Sequence, residues 1–295
     1  MDFDVVIVGG GPAALTAGIY CVRRKLKTVI VERMGTGGQM LLTNEIGNWP
    51  GDKLISGVEL ASKMEEHAKS LGVDFIFDEV KSLSLSEKVK EVMLRDRTIK
   101  CSAVILAMGG QHKKLKVKGE EEFAGRGVSY CATCDGPFFK GKTVAVIGGG
   151  NMACEDALYL SELVEKTYLI SPTLSAEELI QDKLKNSRVE YVKDSLAEIS
   201  GADIVSSIKL SSGKSLDVGG VFIAVGSKPS TELATEAGVA LDGRGFIKVT
   251  RDMETNLSGV FAAGDVTGGI PQIAKAVGDG CVAALRAYGH VKNAV

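Results

Sequence analysis

Val5-Val6-Ile7-Val8-Gly9-Gly10-Gly11-Pro12-Ala13-Ala14 decides the fold. The four apolar residues read as a buried strand, and Pro12 fits the first turn of a helix. The glycines between them therefore form a tight strand-to-helix turn. The design returns at Val144-Ala145-Val146-Ile147-Gly148-Gly149-Gly150-Asn151-Met152-Ala153. In a Gly-x-Gly-x-x-Ala turn, Gly9 permits the turn, Gly11 lets the backbone approach a pyrophosphate, and Ala14 lets the helix lie close to the strand. The pyrophosphate then rests on the positive helix N-terminus. Glu32 closes the next strand, in the register where an acid accepts hydrogen bonds from an adenosine ribose. Strand, turn, helix, strand and acid together predict nucleotide binding by Gly9, Gly11, Pro12, Ala13, Ala14 and Glu32. They do not separate FAD from NAD.

Around this seed the chain reads as α/β: two Rossmann-like three-layer nucleotide-binding domains, the second inserted into the first. Expected elements of the first are a strand over 4–8, helices over 12–25 and 58–70, strands over 28–31 and 103–108, and short strands within 73–94. Residues 34–51 read as loop. The alternating basic stretch 113–118 suits a crossing into the second domain. There, strand 142–147, helix 152–163 and strand 167–170 repeat the unit, followed by a hairpin within 206–216 and a buried strand over 220–225. The chain is expected to return near Gly238–Gly245. The resulting division is 1–112 and 243–295 for the first domain and 113–242 for the insertion.

Composition narrows the function. The 295 residues are 45% hydrophobic and include 36 glycines, enough for real cores joined by tight turns. Lys and Arg number 35 against 37 acids, so no net charge draws the chain to nucleic acid or anionic lipid. No apolar stretch reaches the roughly 18 residues of a membrane span. The N-terminus opens straight into a strand with no leader pattern, and the expected location is cytoplasmic. Of six cysteines, Cys21, Cys101, Cys154 and Cys281 are dispersed and read as small buried hydrophobes.

Cys131 and Cys134 form the remaining pair, in Ser129-Tyr130-Cys131-Ala132-Thr133-Cys134-Asp135-Gly136. Zinc would need two further ligands at similar spacing, and the three histidines are scattered, so no metal is expected. Two inert buried thiols fit poorly with a polar, turn-forming segment. Redox activity fits best: thiols two residues apart at a helix start can close a ring, and the helix N-terminus favours the thiolate.

Further stretches bring a family into view. Thr255-Asn256-Leu257-Ser258-Gly259-Val260-Phe261-Ala262-Ala263-Gly264-Asp265 resembles the second FAD motif of the two-domain disulfide reductases. The Cys131–Gly136 stretch, Gly37-Gly38-Gln39, Asn48-Trp49-Pro50-Gly51, Ala107-Met108-Gly109, Gly226-Ser227-Lys228-Pro229 and Ala276-Val277-Gly278-Asp279-Gly280 resemble the low-molecular-weight thioredoxin reductases. The resemblance implies a FAD-containing homodimer that reduces thioredoxin or a similar small dithiol protein. Asp265 would hold the ribityl chain. Gly38, Gln39, Asn48, Ala107, Gly109 and Gly264 would line the FAD site. Gln272, Ile273 and Ala274 would start a helix whose dipole faces the flavin pyrimidine. Cys134 would take electrons from the flavin, Cys131 would attack thioredoxin, and Asp135 would manage protons. The family rotates one domain against the other between these tasks, and the crossings near Lys113 and Gly245 would be the hinges.

The second fingerprint departs from the pattern. Ser171 stands in the register of Glu32, where NAD asks for an acid and NADP for arginines. The family's NADPH-dependent members have His-Arg-Arg there; this chain has Ser171-Pro172-Thr173, then Glu177-Glu178, with no basic residue between Lys166 and Lys183. That field opposes a 2′-phosphate and counts against NADPH. Relatives without the arginines take electrons from reduced ferredoxin or a reduced deazaflavin, and the resemblance admits either. Rival readings are a relaxed NAD(P)H site, a flavin thiol oxidase, and a flavin redox sensor without turnover.

Overall fold

The computed structural model describes residues 1–43 and 45–293, and its chain divides into two compact units. The first comprises Met1–Asn44, Trp49–Gln111 and Lys228–Val295. Its sheet runs in the order Asp74–Phe77, Thr28–Glu32, Phe3–Val8, Thr98–Leu106, Lys90–Met93, Ser82–Ser84. The Phe3–Val8 strand is parallel to both neighbours, and Val5, Val6 and Ile7 are fully buried. This explains why it reads as an unbroken apolar run. Thr98–Leu106 is longer than expected because its two halves serve different partners. Thr98–Cys101 pairs antiparallel with Lys90–Met93, whereas Val104–Leu106 pairs parallel with Val260–Ala262. The C-terminal residues thus complete the first unit.

Helices Pro12–Arg23 and Ile273–Asn293 cover one face of this sheet. Small residues set their approach. A Cβ on Gly280 would lie 2.3 Å from the Ala13 carbonyl oxygen. Ala14, Ala17, Ala283, Ala284 and Ala287 are buried with Ile7 and Ile105 in one core cluster. On the opposite face Val6, Val29, Val104 and Leu106 pack with Leu83, Leu85 and Val92.

The second unit comprises Glu45–Asn48 and His112–Ser227. Its parallel sheet has the order Glu190–Val192, Lys166–Ile170, Thr143–Ile147, Gly220–Ile223, Val128–Ser129. Helix Asn151–Leu163 packs on it, with Ala153, Cys154, Ala157 and Leu160 buried beside Val144 and Val146. Leu196–Gly201, Val205–Leu210 and Ser215–Asp217 form a separate antiparallel sheet. The chain rejoins the first unit at Lys228, upstream of Gly238. The short helix Glu232–Glu236 then places Ala234 in the first unit's core.

Two local expectations are corrected. Residues 34–51 are not all loop: Gly38–Leu42 is a 3-10 helix. It is too short for a periodic signature, and it is anchored by the Gly37 N–H donating to the Gly10 carbonyl at 2.8 Å. Helix Glu178–Lys185 and strand Glu190–Val192 were not expected. Ile180 and Leu184 alone bury that helix's apolar edge, too narrow a stripe to stand out. No helix among the described residues is long and apolar enough to cross a membrane.

Candidate active site

Within the first unit the predicted nucleotide residues converge around the first glycine turn. Gly9 adopts φ 108°, and a Cβ there would lie 2.3 Å from the Ala107 carbonyl oxygen. Only glycine fits that approach of two strand ends. Gly11 has open space where a Cβ would stand and caps the Pro12–Arg23 helix without any side-chain hydrogen bond. The first amides of that helix are therefore left for an anion. Glu32 ends its strand beside this turn, and its Oε1 accepts the Met34 N–H at 3.1 Å. Gly38 approaches Gly11 so closely that a Cβ would lie 3.4 Å from the Gly11 Cα. Gln39 Nε2 donates to the Gly110 carbonyl at 2.9 Å, and the Gly109 carbonyl accepts the Ser230 N–H at 3.1 Å. Asn48 belongs to the short segment that groups with the second unit.

The C-terminal motif closes the cradle. Gly264 sits at φ 82°, where a Cβ would lie 3.0 Å from that of Ala13. Burial raises the Asp265 pKa, opposed by the charge of Lys275. Gln272 precedes the final helix, and Ile273 and Ala274 form its first turn. Sequence reading missed Lys275. Its Nζ donates to the carbonyls of Gly268 and Gly264 at 2.8 and 3.2 Å and to Thr267 Oγ1 at 3.1 Å. It also pairs with Asp279 Oδ2 at 2.7 Å, and that same oxygen accepts the Gly264 N–H at 3.0 Å. The i,i+4 spacing of Lys275 and Asp279 was the available signal. An uncapped helix start, an open face at Gly11 and a buried carboxyl at Asp265 are the features a dinucleotide such as FAD needs.

In the second unit, Cys131 and Cys134 are joined by a disulfide. Cys131 caps the four-residue helix Ala132–Asp135, its Sγ accepting the Cys134 N–H at 3.2 Å. So short a helix has little dipole; the direct N–H donor is the stabiliser of charge at this sulfur. Ser129, missed from sequence, organises the pair. Its hydroxyl donates to Asp135 Oδ2 at 2.5 Å and accepts the Cys131 N–H at 3.0 Å. Burial raises the Asp135 pKa, and the Ser129 hydrogen bond opposes the rise. Cys21, Cys101 and Cys154 are buried, and burial pushes the thiols of Cys21 and Cys101 up to about 12, which keeps them protonated and inert.

The second glycine turn borders a cavity of about 600 Å3. Gly148–Ala153, Ser171, Pro172 and Ser175 line it, and the charged side chain in its wall is Asp194. The 171–177 loop folds back over the turn. A Cβ on Gly149 would lie 2.0 Å from the Thr173 carbonyl oxygen. Ser175 N–H donates to the Gly149 carbonyl at 2.7 Å, and the Ser171 hydroxyl donates its proton to the Thr173 carbonyl at 2.7 Å. Glu177 and Asn151, the first residue of the fingerprint helix, bond reciprocally. Asn151 Nδ2 donates to Glu177 Oε1 at 2.9 Å, and Glu177 N–H donates to Asn151 Oδ1 at 2.8 Å.

Two dinucleotide-type units and a Cys-x-x-Cys disulfide define a disulfide oxidoreductase. The sequence profile described as pyridine nucleotide-disulphide oxidoreductase matches residues 3–280, and the chain belongs to that family. Its place within the family follows from relatives. A thioredoxin reductase of Listeria monocytogenes is 39% identical over 303 residues, covering 99% of this chain and 94% of the relative. The solved thioredoxin reductase of Streptococcus pyogenes has a TM-score of 0.94 at 37% identity, covering 99% of this chain and 98% of that one. A solved ferredoxin-flavin thioredoxin reductase of Clostridium acetobutylicum is 36% identical, with a TM-score of 0.56 and coverage of 99% and 98%. The chain is accordingly a low-molecular-weight member of the thioredoxin reductases, an oxidoreductase with a redox-active disulfide.

Proposed function

We propose that this enzyme is a FAD-dependent thioredoxin-disulfide reductase whose electrons come from a donor other than NADPH. FAD would be held by Gly9, Gly11, the Pro12–Ala14 amides, Glu32, Gly38, Gln39, Ala107, Gly109, Gly264, Asp265 and the helix start at Gln272–Ala274. When bound, it supplies the two electrons that open the Cys131–Cys134 bond. The chain's own groups do the rest. The dithiol must expose Cys131 as a thiolate, and the Cys134 N–H at its sulfur favours that form. Cys131 attacks one sulfur of the thioredoxin disulfide and expels the other as a thiolate. Cys134 then attacks Cys131, re-forming the protein disulfide and releasing the second thioredoxin sulfur. Asp135, held by Ser129, would take the proton that Cys134 gives up and return it to the departing sulfur.

The donor assignment rests on the second cavity: a 2′-phosphate there would meet no cation among the described lining residues, the Asp194 carboxylate, and a Glu177 already bonded to the fingerprint helix. The similarity to a protein named ferredoxin-flavin thioredoxin reductase supports reduced ferredoxin as the donor, with a reduced deazaflavin as the chemical alternative. The family reading makes the enzyme a homodimer of the cytoplasm. The test is anaerobic mixing of the oxidised holoenzyme with NADPH, NADH, reduced ferredoxin and a reduced deazaflavin. Reduced ferredoxin or deazaflavin should bleach the flavin rapidly and the pyridine nucleotides slowly. Fast bleaching by NADPH alone would refute the assignment.

A further inference from the structure

Glu120 is 1% exposed and belongs to no part of the chemistry described above. Its Oε1 accepts the Tyr130 hydroxyl at 2.9 Å and the Leu115 N–H at 3.1 Å, and its Oε2 accepts the Lys116 N–H at 2.6 Å. A buried carboxylate is tolerated only when its oxygens are met in this way. Lys116 is held at φ 60°, a conformation that non-glycine residues avoid unless fixed by their surroundings. The Tyr130 ring stacks on His112, with centroids 5.1 Å and planes 19° apart. Burial, reinforced by the hydrogen bond to Glu120, pushes the Tyr130 phenol above its ordinary range. Tyr130 therefore remains a donor at every working pH. His112, Leu115 and Lys116 lie on the stretch by which the chain passes into the second unit, and Tyr130 is bonded to Cys131.

We propose that Glu120 is a positioning residue for the disulfide. Through Tyr130 it holds the Cys131 backbone where the ring closes onto Cys134. Through Leu115 and Lys116 it makes that geometry depend on the conformation of residues 112–118. The proposal rests on the reading of Cys131–Cys134 as the redox pair. Closing a disulfide depends on the effective concentration of its two thiols, which a fixed Cys131 raises. Without the Glu120 link the dithiol gains more freedom than the disulfide, and the pair becomes easier to reduce. In the test reaction two electrons and two protons pass from dithiothreitol to the protein sulfurs, leaving the cyclic oxidised reagent.

Tyr130→Phe removes the donor and keeps the ring on His112. Glu120→Gln keeps the volume and turns an amide N–H2 toward existing donors. Each holoenzyme is equilibrated anaerobically in graded mixtures of reduced and oxidised dithiothreitol, and alkylation with mass spectrometry counts the Cys131 and Cys134 thiols. The equilibrium constant for disulfide formation should fall roughly tenfold in either variant, a shift of about 30 mV. The double variant should fall no further than the worse single one, because both act on one link. A merely structural Glu120 would lower Tm and leave that constant at its natural value, which overturns the proposal. Losses that multiply in the double variant overturn it as well. If Glu120→Gln does not fold, Tyr130→Phe decides alone, and an unchanged constant is the refuting result. The natural protein separates the two readings: if its reduced pair cannot transfer electrons to oxidised thioredoxin, the redox assignment itself has failed.

Discussion

On the proposed donor assignment, replacing Pro172, Thr173 and Glu177 by arginine should raise NADPH use well above that of the natural protein. Pro172 lines the second cavity, Thr173 stands beside the fingerprint turn, and Glu177 is bonded to the first residue of the fingerprint helix. Each arginine that reaches a 2′-phosphate adds a charge-assisted contact of about 1.5–3 kcal/mol. Two such contacts amount to roughly 3–6 kcal/mol, or about two to four powers of ten in affinity. Removal of the Glu177 carboxylate acts in the same direction. Against this stand the one lost side-chain hydrogen bond, from Asn151 Nδ2 to Glu177 Oε1, at about 0.5–1.5 kcal/mol, and about 0.4–1 kcal/mol for the lost proline. The balance still favours the variant. Stopped-flow bleaching across a range of NADPH concentrations should show slow, non-saturating reduction of the natural protein. The triple variant should give a faster, saturable phase. NADH should gain little in either, because it has no 2′-phosphate for the arginines to meet and Ser171 offers its ribose no carboxylate. Rapid reduction of the natural protein by micromolar NADPH would refute the reasoning.

Cys131→Ser and Cys134→Ser should each abolish thioredoxin-coupled insulin reduction, since attack and resolution need separate thiols; appreciable turnover by either removes the pair from the mechanism. Lys275→Met leaves the Gly268 carbonyl without its Lys275 donor, takes one of three donors from the Gly264 carbonyl, and should weaken FAD retention by about 1–3 kcal/mol. Reconstitution of the apoprotein with FAD measures this, and unchanged affinity would show that the turn does not depend on Lys275. Burial, aided by Glu155, raises the Asp156 carboxyl from 3.8 to about 6. A raised acid favours the protonated fold, so its contribution is intact below pH 3.8 and is lost as pH climbs through 6. Asp156→Asn should therefore raise Tm at pH 7 and give no such gain near pH 4; a gain equal at both pH values would exclude the ionisation as its cause.

Much of this architecture was legible because it obeys local rules. Val5–Val8 and Val144–Ile147 are buried parallel strands, and such strands announce themselves as unbroken apolar runs. The glycine turns, the Pro12 helix start and the Cys-x-x-Cys lie in contiguous sequence. What escaped depends on distant partners. Ser129 is ordinary until Asp135 folds back to receive its hydroxyl. Lys275 becomes visible only when the carbonyls of Gly264 and Gly268 turn toward it. Glu120 is one of three successive acids with nothing in its sequence to set it apart, yet Glu121 and Glu122 are exposed while it is sealed among three donors. Helix Glu178–Lys185 escaped because its two buried residues are outnumbered by charges.

The two glycine turns answer to different demands. At the first, Gly9 is required by the Ala107 carbonyl and Gly11 faces open space, so one glycine serves packing and the other serves approach. At the second, Gly148 is hemmed in by the Ala224 carbonyl at 2.4 Å and the Ala153 Cβ at 2.8 Å. Gly149 is required by the Thr173 carbonyl of the chain's own loop. Packing alone therefore holds both of these glycines in place, whether or not a pyrophosphate ever arrives. Gly150 meets only the Ser175 hydroxyl, at 4.0 Å, and is the position whose freedom a nucleotide would use. Gly150→Ala should therefore separate the two demands. If the cavity no longer serves a dinucleotide, the substitution should leave Tm and thioredoxin reduction by the natural donor unchanged. A selective loss of electron transfer at unaltered Tm would instead show that a nucleotide still lies against this turn.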